Sequence, residues 1–212
     1  MKWCALILMT LDHINKYLFN HTIPALFALG RIAMPLFVFV LAYNLARPGA
    51  LEKGVYRRTA TRLALYGLLA CLPFIALGKV HGGWWPLNIM FTLLVATVVI
   101  GLMAKGGRLC TTLAIGVFIV GGGLVEYWWF AVGLAVICWR YCARPATSNL
   151  VALVACFGAL WLVNQNPWAF AALPLIVAAP RIELSMPRLS QIFYLYYPAH
   201  LGVLFVVSKF MH

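Results

Sequence analysis

The run Trp3–Leu18, WCALILMTLDHINKYL, decides how this chain must be read. It is apolar enough for hydrocarbon, yet Asp12 and His13 sit side by side in its middle, and the whole chain has only four acidic residues. An ionisable side chain at mid-membrane costs at least about 2.5–3.5 kcal/mol, so it faces a partner or a wet cavity and marks a functional site. A reaction centre inside the bilayer is therefore the leading expectation.

The rest of the chain agrees with a lipid solvent. Of its 212 residues 65% are hydrophobic and 9% charged, with a mean hydropathy of +0.95; soluble domains carry about 25% charged residues. Lipid cannot satisfy backbone polar groups, which leaves helices or a closed barrel. The apolar runs are continuous rather than alternating, so the reading is an all-α polytopic membrane bundle forming one domain over 1–212. Turn signals place nine helices near 3–18, 24–46, 56–78, 87–104, 109–123, 125–142, 149–163, 167–180 and 190–210, with the boundary around Gly121-Gly122-Gly123 the least sharply marked. No cleavable leader is expected before the first run, which stays as a helix.

The net charge of +12 comes from Lys and Arg scattered through short loops, a pattern that suits an anionic leaflet rather than nucleic acid. With a cytoplasmic N-terminus, twelve of the sixteen basic residues fall inside, among them Arg181 and Arg188, while Lys16, Lys79 and Lys209 fall outside. Trp84, Trp85, Trp128, Trp129 and Trp168 then gather at the outer boundary as an aromatic belt. The six cysteines read as buried free thiols, and no metal site is expected.

A helix rises about 1.5 Å per residue through a core about 30 Å thick. On that scale Asp12, His13 and His200 fall near the midplane and Arg31 slightly to the outer side. An acid, two imidazoles and a guanidinium thus share one depth on the first, second and last helices. Asp12 is the natural orienter of a histidine, although neighbouring helical residues diverge by about 100°, so Arg31 or His200 is an equally open partner. A structural ion pair locking the three helices is the plain alternative. Tyr194, Tyr196 and Tyr197 precede Pro198 and His200, with Tyr196 and Tyr197 on the His200 face, and make a polar lining for substrate. Asn44 and Asn88 stand at opposite mouths of such a cavity, or serve as interhelical hydrogen-bonding groups. Arg47, Lys53, Arg57, Arg58 and Arg62 form the densest basic segment, readable as topology or as a landing site for a phosphorylated cofactor.

Three blocks, "LILMTLDHINKYLF", "GRIAMPLFVFVLAYNLAR" and "YLYYPAHLGVLF", together resemble the TraX family of conjugative membrane proteins, and in particular its TrbP-type members. The resemblance spans essentially the whole chain. It implies an acyltransferase of the bacterial inner membrane that acetylates or otherwise matures the pilin subunit, with acetyl-CoA as donor and with membrane lipid around it. On that reading His13 is general base or transient acetyl carrier, Asp12 orients it, and Arg31 with a tyrosine near His200 stabilises the oxyanion. Arg47, Arg57, Arg58 and Arg62 then hold the cofactor phosphates. Two alternatives stay open: transfer to a lipid or glycan hydroxyl or another pilin maturation step, and a non-enzymatic pilin chaperone or proton-coupled carrier.

Overall fold

Residues 1–78, 80–178 and 190–211 are described by the computed structural model. Among them the continuous apolar runs fold as nine α-helices: α1 (Lys2–Tyr17), α2 (Pro24–Leu45), α3 (Val55–Ala76), α4 (Ile89–Lys105), α5 (Arg108–Leu124), α6 (Trp128–Ala143), α7 (Thr147–Asn164), α8 (Ala172–Ala178) and α9 (Ser190–Met211). The expected count and order hold, and the differences lie at the ends. The segment expected as a helix over 167–180 opens instead with a 3-10 turn, Trp168–Ala171, before α8. α4 starts two residues late because Asn88 caps it, its side-chain oxygen accepting from the Met90 N–H. Lys79, Arg181 and Arg188 lie outside the described residues, as does the end of the expected eighth helix.

The Gly121-Gly122-Gly123 stretch is no break. All three glycines stay within α5, where a Cβ at Gly121 would crowd Val95 and one at Gly122 would run into the Trp129 ring. The chain turns afterwards, at Val125 to Tyr127, with Tyr127 and Trp128 both in the left-handed region (φ 61° and 50°). A short parallel bridge between Leu87 and Val125 fixes that turn: Leu87 N–H donates to Leu124 O, and Glu126 N–H donates to Leu87 O.

α2 is the axis of the molecule, touching α1, α4, α6, α8 and the 3-10 turn. In its apolar window 56% of residues are buried, against 22% in α3, α7 and α9. These are the four described helices long and apolar enough to cross a membrane. The outer helices present bare apolar faces: Leu65, Leu68, Leu69 and Leu72 on α3, Ile119 and Val120 on α5, Val203 and Val206 on α9. Water penalises such a surface by about 25 cal/mol per Å², a penalty that hydrocarbon removes. α9 packs on α3 and meets α1, so α1, α2 and α9 converge where the sequence placed its polar groups.

Candidate functional site

Two polar pairs occupy this junction. Arg31 on α2 donates through Nη2 to both carboxylate oxygens of Asp12 on α1, at 2.9 and 3.0 Å. The contact needs Gly30: any Cβ there would overlap the Asp12 carboxylate, so the preceding residue must be the smallest one. Arg31 also lies over the Phe27 ring, 4.5 Å from its centroid, and its Nε has no hydrogen-bond partner among the described residues.

His13 is therefore not oriented by Asp12. Its Nδ1 lies 2.6 Å from Nε2 of His200 on α9. The proton positions follow from the next link: His200 Nδ1 is 3.1 Å from the Tyr196 carbonyl oxygen. A carbonyl only accepts, so His200 Nδ1 carries the proton and, in a neutral ring, its Nε2 is a lone pair. His13 Nδ1–H must then donate to it, which leaves His13 Nε2 as the basic atom, without a partner among the described residues. Stacking fixes the planes of the rings. The His200 ring lies parallel to those of His13 (4.9 Å, 5°) and Tyr196 (5.2 Å, 13°), with Tyr197 tilted against it at 5.5 Å. Thr10 anchors Tyr196: its hydroxyl donates to Leu6 O, so the Tyr196 hydroxyl donates to Thr10 Oγ1 at 2.7 Å.

His13, Asp12 and Arg31 line a cavity of about 460 Å³ whose far wall is formed by Glu126, Tyr127 and Asn164. Neither Glu126 nor Asn164 is legible as a site residue from sequence. Glu126 falls between two apolar runs and Asn164 in a loop-like tail, and their approach to α1 depends on how α5, α6 and α7 pack. The one available signal was scarcity, since Glu126 is one of four acids in the chain. Its carboxyl is raised above the ordinary range by burial, an effect that Lys16 opposes.

A second cavity, of about 540 Å³, is floored by apolar residues of α2, α3 and α4, and Lys2, Arg47 and Lys53 stand among its lining residues. Asn44 and Tyr194 line it too, and Phe37 lines both cavities. Of the remaining expected residues, Arg57 and Arg58 are exposed and line neither cavity, while Arg62 lies over the Tyr194 ring. Asn88 is wholly buried and structural, its amide donating to Gly67 O besides capping α4. Tyr197 is buried, and its hydroxyl has no hydrogen-bond partner among the described residues. The six cysteines are free thiols, with Cys138 buried and Cys4 exposed.

A family model described as TraX protein matches residues 1–208, nearly the whole chain. The chain belongs to the TraX family. It is similar to Protein TraX of Escherichia coli, with 29% identity over 220 residues, covering 98% of this chain and 86% of that protein. It is also similar to an uncharacterized protein of Rickettsia prowazekii (strain Madrid E), 36% identical over 69 residues, which cover 32% of this chain and 23% of the other. No solved structure matches. The TraX match takes in His13 and His200 of the histidine pair and Asp12 and Arg31 of the ion pair.

Proposed function

We propose that this TraX-family chain is an acyltransferase of the bacterial inner membrane that acetylates the terminal amine of a conjugative pilin subunit, with acetyl-CoA as donor. The observation that carries the reading is the His13–His200 pair, whose tautomers leave His13 Nε2 as an unengaged base on a cavity wall. His13 takes a proton from the acceptor ammonium at Nε2 and shares the resulting charge with His200 through Nδ1. A neutral histidine orients without a carboxylate's full charge, which keeps the base weak enough to release its proton afterwards. Arg31, fixed by Asp12 and lining the same cavity, supplies positive charge toward negative charge developing there.

The residues present suit the donor. Lys2, Arg47 and Lys53 offer cations for phosphates beside apolar lining residues, and Phe37 lines both that cavity and the one lined by His13. Acetyl-CoA supplies an activated acyl carbon: a C–N bond forms and the C–S bond breaks, and of the two protons that the ammonium loses through His13 Nε2 one leaves with the thiol and the other passes to water. Pilin is small and apolar, so it reaches the site by lateral entry from lipid.

Intact-mass measurement of pilin from cells carrying wild-type or His13→Ala protein tests the proposal. Pilin heavier by one acetyl group with the wild type alone is the expected result. Identical masses remove the proposal, and a mass change on envelope lipid instead moves the acceptor to a hydroxyl.

A further inference from the structure

We infer that Glu126 and Asn164 form an ammonium-reading subsite that makes this cavity select a primary amine over a hydroxyl acceptor. The inference rests on the acyl-transfer reading of the same cavity, and adds which residues choose the acceptor.

Glu126 is held rather than loosely placed. Its N–H donates to Leu87 O at 3.0 Å, its carbonyl accepts from the Thr92 hydroxyl at 2.9 Å, and the left-handed residues Tyr127 and Trp128 follow it. Backbone strain of this kind persists only where the surroundings enforce it. The other acid in the cavity, Asp12, has both oxygens engaged by Arg31, whereas Glu126 forms no ion pair with a described residue. Lys16 lines the same cavity, but its ammonium lies over the Tyr17 and Phe74 rings, 5.0 and 6.0 Å from their centroids.

Asn164, at the end of α7, is the independent observation. It is 5% exposed, lines the cavity, and neither its amide nitrogen nor its side-chain oxygen has a partner among the described residues. A buried unpaired amide is costly, by about 1–3 kcal/mol, unless something else pairs it. An alkylammonium brings three N–H donors, and three residues lining the cavity, on three separate elements, each carry an acceptor: Glu126, Asn164 and His13. A hydroxyl brings one donor and leaves a carboxylate uncompensated. The Asn164 amide N–H remains for a neighbouring carbonyl, which fits the first peptide unit behind a polypeptide N-terminus.

Binding to full-length protein in lipid nanodiscs tests this without requiring turnover. The probes are a short apolar peptide with a free N-terminal amine and the same peptide with a hydroxyl replacing that amine. Wild type is expected to prefer the amine by about tenfold or more, the worth of one charge-assisted hydrogen bond, and Glu126→Gln to abolish the preference. Asn164→Asp, which adds a second carboxylate, is expected to increase it, and serves as the second variant should Glu126→Gln fail to fold. Equal binding of the two probes by wild type, no binding of either, or an unchanged preference in a folded variant overturns the inference. Amine preference without any acyl transfer instead sinks the enzymatic reading alone.

Discussion

The proton inventory at His13 turns on a single backbone carbonyl, that of Tyr196, because it dictates the tautomer of His200 and through it that of His13. His200 is therefore a positioning residue whose replacement should depend on what the new side chain can accept. His200→Gln retains an oxygen able to accept from His13 Nδ1–H, while His200→Ala does not. Transfer by purified protein is expected to fall by about 10²-fold or more for Ala and much less for Gln, with both variants binding donor normally. Equal rates for Ala and wild type would remove His200 from the mechanism. The Asp12–Arg31 pair makes a separate prediction about stability. Removing one member strands a buried charge, so Asp12→Ala should destabilise the protein by about 3–5 kcal/mol, whereas the double variant Asp12→Leu, Arg31→Met should recover much of that loss. Denaturant unfolding in detergent measures both, and a double variant as unstable as the single one would show that the pair has a role beyond mutual neutralisation.

At the scale of elements, the helices themselves were legible because lipid-compatible runs of sequence are bounded by strong turn residues. Depth arithmetic also placed Asp12, His13, Arg31 and His200 at one level. Pairing was not legible, since rotation about a helix axis decides it. Gly30 permits α1 and α2 to approach so closely that Asp12 meets Arg31, and His13, about 100° further round the helix, is left to α9. Asn15 was missed for a similar reason. It is wholly buried and clamps the α1–α2 connection, its amide donating to Ile23 O and its oxygen accepting from the Ile23 N–H. In sequence it is only one more polar residue near a helix end. The glycine triplet blurs the boundary after the expected helix over 109–123 because its function is close packing of α5 on α4 and α6. Gly122→Ala should accordingly destabilise the bundle by about 1–3 kcal/mol, as overpacking does. A melting temperature unchanged from wild type would show that Trp129 moves aside at no cost.

Considered as a whole, the molecule is a central helix, α2, with a cavity on each side of one of its residues. Phe37 lines both the cavity that includes Lys2, Arg47 and Lys53 and the cavity of the histidine pair. The arrangement separates two tasks of opposite chemistry. On the proposed reading an anionic, water-soluble donor suits the end that carries cations, and an apolar acceptor suits the bare aliphatic faces of α3, α5 and α9. Phe37 is half-buried and packed against the core, so on the proposed acyl-transfer reading its size sets the width of any passage between the two cavities. Phe37→Trp should narrow it and slow transfer by about tenfold or more while leaving donor affinity within about twofold, because the basic residues are untouched. Phe37→Leu should keep near wild-type rates. Donor affinity by equilibrium binding and transfer by single-turnover kinetics separate the two effects. Should Phe37→Trp transfer as fast as wild type, the donor does not travel through the bundle, and it must reach His13 from the side of Glu126 and Tyr127 instead.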